Sequence, residues 1–244
     1  MNGDFRRILK YFIKPLLNWI QSLKQAIHEI QWLGRRPGQI THYLSAPGEK
    51  KLNIGCGTNL LFGWLNVDFN PVSSKVIFLD ATQPFPFGNN TFDCIFSEHM
   101  IEHVPYDQGL QMLRECHRVM KPGGWLRIDT PDMLKMISLY AVDKSKEQKS
   151  YIEWSTQKFS HSDEVRIPHE CFVFNRVVRE WGHQFIYDAW SLMNALTTVG
   201  FINCRQLSVG ISDHPEFMNA EGHSDISGDA MNAFETLAIE AQKK

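Results

Sequence analysis

Cysteine is scarce and scattered in this sequence. The chain of 244 residues contains five cysteines, at positions 56, 94, 116, 171 and 204, and no Cys-x-x-Cys pair. An odd number at wide spacings predicts neither a disulfide framework nor a cysteine zinc site. We therefore expect a reducing, cytoplasmic setting.

The sequence also lacks an excess of positive charge and a long apolar run. Its 25 basic and 27 acidic residues give a net charge of −2, whereas a nucleic-acid binder usually carries a basic face. No stretch approaches the roughly 20 apolar positions that a transmembrane helix requires. Because 43% of the residues are hydrophobic, one domain with a sizeable core and an extension is expected, without a nucleic-acid partner.

The first 46 residues form the extension and linker. Within residues 1–25, five basic side chains stand against a single acid, and apolar residues recur at spacings of three and four. This pattern predicts a basic amphipathic helix, kinked or restarted at Pro15. The helix packs either on protein or peripherally on the inner face of a membrane, where each exposed Lys or Arg adds about 1 kcal/mol. Gly and Pro in residues 34–38 and 47–48 then predict a linker.

A two-glycine turn follows the first predicted strand. Residues 51–54 form a compact run that ends at Gly55, and Gly57 follows closely. Glycine allows positive φ and lets a ligand lie against the backbone, whose amides then act as donors. Alone, Gly-x-Gly indicates only a turn. Whether it indicates a ligand site depends on the strands that follow.

Strand-like runs that end in polar residues follow this turn. They span residues 64–68, 76–80, 91–97 and 125–129, and residues 107–120 between them have helical spacing. This alternation predicts a mostly parallel sheet with helices on both faces. Ligands of such sheets bind at the carboxyl ends of the strands. The polar residues expected around that crevice are Asp68, Asp80, Ser97, Glu98 and Asp129.

The remaining third of the chain has a weaker pattern. Residues 133–187 are expected to form an insertion, with a polar excursion or lid at 141–162. Its aromatic residues either line a pocket or form the core beneath it: Phe172, Phe174, Trp181, Phe185, Tyr187 and Trp190. Residues 133–140 and 188–196 predict helices, 201–207 and 235–241 predict strands six and seven, and 208–232 predicts a loop.

Five segments together resemble a known family. Leu-Asn-Ile-Gly-Cys-Gly (52–57), Trp-Leu-Asn-Val-Asp (64–68) and Phe-Leu-Asp-Ala (78–81) lie at strand ends. Ser-Glu-His-Met-Ile-Glu-His-Val (97–104) and Leu-Arg-Glu-Cys-His-Arg-Val-Met-Lys-Pro-Gly-Gly (113–124) follow. In order and spacing they resemble class I S-adenosylmethionine-dependent methyltransferases, most closely the bacterial ones associated with surface polysaccharide biosynthesis.

The resemblance implies a Rossmann-like, doubly wound, seven-stranded α/β sheet with an antiparallel last strand, in a domain spanning residues 47–244. It implies that Asp68 accepts hydrogen bonds from the ribose hydroxyls, since a carboxylate can accept both. Asp80 and the Ala81 amide would contact the adenine. The full set of implied S-adenosylmethionine-binding residues is Asn53, Gly55, Gly57, Asp68, Asp80, Ala81, Ser97 and Glu98.

Two features depart from the family pattern. Many methyltransferases have an acid two residues before the first glycine, whereas this chain has Asn53, and Asn59 replaces the third glycine. Asparagine tolerates a left-handed turn better than most residues. Residues 58–63 alone separate Gly57 from the next strand, so the first crossover is expected to be short.

The implied reaction moves a methyl group from S-adenosylmethionine to an acceptor oxygen, or nitrogen, of a small molecule such as a saccharide. The resemblance also implies that the insertion at residues 133–187 lies on the acceptor side. An activated sulfonium donor mainly requires that the protein align the nucleophile and exclude water. His183 and His169 are candidate general bases because imidazole titrates near neutrality. No metal is expected. The alternative is a binding protein that keeps the fold and has lost transfer activity.

A short metal motif offers a remote alternative. Residues 99–103, His-Met-Ile-Glu-His, match the H-x-x-E-H pattern of zinc peptidases. That mechanism needs a continuing helix and a distal third ligand, whereas Pro105 follows His103 almost at once. We therefore rank a zinc hydrolase well below a methyltransferase.

Overall fold

The computed structural model describes residues 33–159 and 167–244. These belong to two compact units, with the division between Pro47 and Gly48. The predicted basic helix at residues 1–25 lies outside the described residues. Residues 33–45 are helical, so the linker predicted at 34–38 is wrong; glycine weakens a helix by about 1 kcal/mol without excluding it. None of the described helices combines the length and apolarity needed to cross a membrane.

A seven-stranded sheet runs through the second unit. Its strand order is β3-β2-β1-β4-β5-β7-β6. Strands β1 to β5 pair in parallel, and β7 pairs antiparallel with both β5 and β6. This confirms the predicted mostly parallel, Rossmann-like sheet. The strands are β1 (Lys51–Ile54), β2 (Leu65–Asp68), β3 (Ile77–Phe78), β4 (Phe92–Glu98), β5 (Met120–Pro131), β6 (Phe201–Leu207) and β7 (Thr236–Lys243).

The α-helices of this unit lie in its later part. They are α1 (Tyr106–Val119), α2 (Met133–Ser138), α3 (Lys146–Phe159), α4 (Glu170–Arg179), α5 (Ala189–Val199), α6 (Ser224–Ser227) and α7 (Asp229–Glu235). Helix α5 contacts α1, β6 and β7. Residues 55–91, all of them described, join the first four strands through turns and contain no α-helix. The first crossover is therefore as short as predicted.

Two polar segments contain helices. Residues 141–162, predicted as a polar excursion or lid, include α3, whose Tyr151 and Ile152 join a buried cluster with Val173 and Val177 of α4. Residues 208–232, predicted as a loop, include a 3₁₀ turn at Pro215–Phe217, helix α6 and the start of α7. The loop prediction is wrong there because most helical stability in proteins comes from packing a few apolar residues, which a polar average conceals.

A buried arginine joins the sheet to the loop after β6. The Arg127 side chain on β5 is fully buried, and its Nη1 lies 3.2 Å from Glu240 Oε1 on β7. Its Nη2 donates to Glu221 and to the Ser208 carbonyl. Its Nε lies 3.3 Å from Asp129 Oδ1. Burial, although opposed by the Arg127 charge, raises the pKa of Asp129 well above its usual range.

Substitution of Arg127 tests the importance of this network. Arg127→Met leaves the buried Glu221 carboxylate without its counter-ion and leaves Glu240 paired with Arg205 alone, so we expect a loss of about 3–5 kcal/mol in the free energy of unfolding. Urea denaturation measures it. The matched control is Lys121→Met, which removes a surface ion pair with Asp93 and should cost about 1 kcal/mol or less. Equal losses in the two variants would contradict a special role for Arg127.

Candidate functional site

A cleft of about 180 Å³ opens beside the turn that follows β1. We call it the glycine cleft; its lining residues are Asn53, Gly55, Cys56, Gly57, Thr58, Asn59, Glu98, His99, Gly222, His223 and Ile226. Gly57 has φ +48°, and no atom lies within 4 Å of the position that a Cβ would occupy there. The backbone of this turn is therefore open to a ligand at close range.

The predicted cofactor residues fall into two groups. Asn53, Gly55, Gly57 and Glu98 line the glycine cleft, whereas its lining does not include the described residues Asp68, Asp80, Ala81 and Ser97. Asp68 nevertheless touches the turn, because the Gly57 amide donates to its Oδ2 at 2.9 Å. The Thr82 amide and hydroxyl both donate to Asp80 Oδ1. Ser97 is fully buried, and its Oγ has no hydrogen-bond partner.

Asn53 holds the turn in place. Its Nδ2 donates to the Asn59 carbonyl at 2.9 Å and to Asn66 Oδ1 at 3.0 Å. Asn66 in turn pairs with the backbone N–H and carbonyl of Leu61. Asn53 thus orders residues 59–66, which lead into β2. It stands at the position where many methyltransferases have an acid. Asn66 was not predicted, although a buried asparagine within an apolar strand is a signal of such a network.

Glu98 closes one side of the glycine cleft. Its Oε2 accepts from the Gly222 amide at 2.9 Å and its Oε1 from the His223 amide at 2.9 Å. Asn59 Nδ2 reaches both Glu98 Oε2, at 3.2 Å, and the Ala220 carbonyl, at 2.9 Å. A Cβ at Gly222 would lie 2.6 Å from Asn59 Cγ, so the close approach requires glycine. Residues 220–223 are therefore held across the end of β4.

A second cavity, of about 240 Å³, lies next to the first. We call it the histidine cavity. It shares His99, His223 and Ile226 with the glycine cleft, so the two spaces have one wall in common. Its polar lining residues are His99, Glu102, His103, His183, His223, Ser227 and Glu235, and the others are Pro131, Met136, Tyr151, Trp154, Phe159, Val177, Trp181 and Ile226.

Two stacked imidazoles form the shared wall. The rings of His99 and His223 are 3.9 Å apart between centroids. His99 Nδ1 lies 3.3 Å from Glu102 Oε1, and His223 Nε2 lies 2.9 Å from Glu235 Oε1. Burial alone would lower the pKa of His99, but the carboxylates of Glu102, Glu235 and Glu98 raise this pKa to about 9. The Tyr151 hydroxyl donates to the other Glu235 oxygen.

Only one of the two predicted bases reaches a cavity. His183 lines the histidine cavity, and its Nδ1 contacts the Val177 carbonyl. Burial lowers the pKa of His183, so the ring is neutral near pH 7. His169 instead caps α4, with its Nδ1 accepting from the Cys171 amide at 3.1 Å, and its side chain is 54% exposed. His169 therefore lines neither the glycine cleft nor the histidine cavity.

The aromatic lining comes mainly from an unexpected helix. Tyr151, Trp154 and Phe159 of α3 line the histidine cavity, but of the six predicted aromatics only Trp181 does. Phe185 and Tyr187 pack against Tyr106. Phe172 and Trp190 are exposed. The segment predicted as a polar excursion thus supplies most of the aromatic rings, because its tyrosine, tryptophan and phenylalanine all face the histidine cavity.

The H-x-x-E-H match lacks the helix that a zinc peptidase requires. Residues Ile101–His103 form a single 3₁₀ turn, and Val104 is already extended. His99 precedes this turn with φ +45°, and its Nε2 lies 3.2 Å from Thr236 Oγ1. The two histidines of the motif therefore do not project from one helical face.

Comparisons with known proteins agree with this architecture. The sequence pattern of a family described as "Methyltransferase domain" matches residues 52–128, which run from β1 into β5. Malonyl-[acyl-carrier protein] O-methyltransferase 1 of Coxiella burnetii is 32% identical over 105 residues, 42% of this chain and 34% of that protein. Methyltransferase str3 of Strobilurus tenacellus is 33% identical over 66 residues, 26% of this chain and 23% of that protein.

Solved structures of methyltransferases are also similar. A SAM-dependent methyltransferase from Archaeoglobus fulgidus has a TM-score of 0.49 at 16% identity, covering 88% of this chain and 94% of that one. An S-adenosylmethionine-dependent methyltransferase from Mesorhizobium loti has a TM-score of 0.43 at 14% identity, covering 86% and 97%. The chain spans about a third or less of the length of the curated relatives it matches.

The matched segment at residues 52–128 has the sequence pattern of a methyltransferase domain, and the described strands form a sheet of Rossmann-like order. The match covers the glycine turn, Asp68 and Glu98, which lie at or beside the glycine cleft, and it also covers Asp80. S-adenosylmethionine is therefore the cofactor that the domain indicates.

The hold of Glu98 on residues 222 and 223 can be tested by amide hydrogen exchange. Glu98→Gln replaces one acceptor oxygen by a donor, so we expect the Gly222 and His223 amides to exchange about 10-fold faster or more, since hydrogen bonds to charged groups contribute about 1.5–3 kcal/mol. Asp225→Asn, at an exposed acid in the same segment, serves as the control. Unchanged exchange at both amides in Glu98→Gln would contradict the role of Glu98.

Proposed function

We propose that this protein transfers the methyl group of S-adenosylmethionine to an oxygen, or less favourably a nitrogen, of a small molecule bound in the histidine cavity. The observation that carries the proposal is the common wall of His99, His223 and Ile226 between that cavity and the glycine cleft. A donor in the glycine cleft and an acceptor in the histidine cavity would thus occupy neighbouring spaces, and in-line displacement requires that the two be aligned side by side.

The glycine cleft supplies groups that suit the cofactor. The backbone at Gly57 is open and would accommodate the methionine and ribose part, whereas Met100 packs against Gly55. Asp68 accepts two amide hydrogen bonds, from Gly57 and Asn70, which leaves acceptor capacity for the ribose hydroxyls because a carboxylate has about four lone-pair sites. We assign Asp80 and the Ala81 amide to the adenine.

The remaining predicted residues belong to the methionine end. Glu98 lines the glycine cleft but already accepts from the Gly222 and His223 amides, so we assign it to shaping the cleft. The buried Ser97 hydroxyl has no hydrogen-bond partner, and a polar group of the cofactor at the end of β4 would satisfy it. Asn53 orders the turn through its own hydrogen bonds.

The histidine cavity suits an acceptor that contains a ring. Trp154 and Trp181 offer flat apolar surfaces, against which a saccharide or another ring can stack. Of the two predicted bases only His183 lines this cavity, so we propose that His183 contacts the acceptor. An association with surface polysaccharide synthesis would follow if the acceptor is a sugar.

Calorimetry with S-adenosylhomocysteine tests the cofactor assignment. Asp68→Ala removes the proposed acceptor of the ribose hydroxyls, and we expect the dissociation constant to rise about 10-fold or more, since hydrogen bonds to a charged group contribute about 1.5–3 kcal/mol. Asp229→Ala, at an exposed acid of α7, should bind like the unaltered protein. Equal affinity of the two variants would remove the ribose assignment.

Labelling with isotope-marked S-adenosylmethionine in a cell extract tests the transfer itself. We expect a labelled small molecule with the unaltered protein and none with Val177→Phe, which fills part of the histidine cavity while leaving the glycine cleft intact. Calorimetry should show that Val177→Phe still binds S-adenosylhomocysteine. Cofactor binding without any labelled product would instead favour the alternative of a binding protein without transfer activity.

A further inference from the structure

We infer that Glu102, His103 and His183 form a binding site for a divalent transition-metal ion in the histidine cavity. One ligand atom from each of the three residues lies within 4.8 Å of the others. Ligands at about 2.0–2.2 Å around a tetrahedral ion are separated by roughly 3.4 Å. Small side-chain rotations therefore suffice to bring the three atoms around one ion. All three residues line the histidine cavity.

The carboxylate of Glu102 is the first reason. Its side chain is fully buried, and its Oε2 accepts from Thr130 Oγ1 at 3.0 Å. Its Oε1 has no hydrogen-bond partner, although His99 Nδ1 lies 3.3 Å away without hydrogen-bond alignment. A buried charged oxygen with an unmade hydrogen bond costs free energy. A cation in the cavity would give this oxygen a second partner, beside the charge of His99.

The orientation of His183 is the second reason. Its Nδ1 lies within hydrogen-bond distance of the Val177 carbonyl, which as an acceptor requires that Nδ1 carry the proton. The lone pair is therefore on Nε2. Metal-binding histidines almost always donate their other ring N–H to a carbonyl or carboxylate in this way, which fixes both the tautomer and the ring.

Hydrogen bonds hold His183 beside the 3₁₀ turn at Ile101–His103. The Gln184 amide donates to the Glu102 carbonyl at 2.7 Å, and Gln184 Nε2 donates to the His103 carbonyl at 2.8 Å. The rings of His103 and His183 lie 4.8 Å apart between centroids. The backbone and side-chain amides of Gln184 thereby hold residues 183–184 against residues 102–103, independently of any ion.

The donor set indicates the chemical class of the ion. Two imidazoles and one carboxylate suit Zn²⁺, Fe²⁺ or Co²⁺ better than Mg²⁺ or Ca²⁺, which prefer oxygen ligands. With three protein ligands, a tetrahedral ion keeps one position open. This set differs from the H-x-x-E-H arrangement, because His99 is not a ligand and Glu102 is.

The ion would act on the acceptor. This step rests on the proposed function: an acceptor hydroxyl at the open position would become more acidic, as metal-bound water does. His183 would then contact the acceptor through the ion. The proton of the acceptor hydroxyl would pass to water, so no separate base among the predicted residues would be needed.

Metal titration of the full-length protein tests the site. After dialysis against a chelator, we expect one equivalent of Co²⁺ to bind with visible absorption bands of a tetrahedral ion, and Zn²⁺ to displace it. His183→Gln and His103→Gln should each bind Co²⁺ more than about 100-fold more weakly, beyond the 10–100-fold that loss of an outer partner costs. Glu102→Gln should behave likewise, with circular dichroism confirming that each variant is folded.

The matched control is His169→Asn. It removes a histidine outside the cavity while keeping a side chain that can cap α4, so it should bind Co²⁺ like the unaltered protein. No saturable Co²⁺ binding, or equal binding by His183→Gln and His169→Asn, would overturn the site. Binding of S-adenosylhomocysteine without Co²⁺ binding removes the metal site alone. Stoichiometric Co²⁺ binding without S-adenosylhomocysteine binding removes the proposed function and leaves the metal site.

Discussion

The buried guanidinium of Arg127 is the interaction on which the site depends. A charge without access to water needs counter-charges close by, and Arg127 finds them on β7 at Glu240 and on the loop after β6 at Glu221. The loop is thereby drawn over the carboxyl end of the sheet. Glu221 directly precedes the two amides that Glu98 binds, so the position of Arg127 in β5 determines where the glycine cleft is closed.

The two cavities follow from the same arrangement. His223 lies on the segment that Glu98 holds, and its ring stacks on His99 at the end of β4. Glu235, just before β7, pairs with His223 on one side and with Tyr151 of α3 on the other. A chain of polar contacts thus connects the sheet to the helix that supplies most of the aromatic lining. The histidine cavity is thus lined by elements that lie more than 100 residues apart in the sequence.

Local signals in the sequence predict the fold well. Strands β1 and β6 have the predicted bounds, and α5 begins and ends where Asp188 and Gly200 predict, because Asp188 caps the helix and Gly200 takes φ +108°. The site is harder to predict from the sequence, because the residues that contact each other there are far apart in the chain. Nothing near Glu98 indicates that its oxygens face residues 222 and 223. His169 and His183 are chemically alike in the sequence, and only tertiary packing makes one a cap and the other a cavity residue.

The wall of His99 and His223 separates two chambers, the glycine cleft and the histidine cavity. Ligand binding in one chamber is therefore expected to depend thermodynamically on ligand binding in the other. The backbone of His223 borders one space through Glu98, and its ring borders the other through Glu235. A molecule that moves this segment on entering the first chamber also changes the shape and charge of the second. Any change in affinity transmitted in this way is reciprocal, by the same factor in both directions. Binding in either chamber would therefore strengthen or weaken binding in the other through this wall.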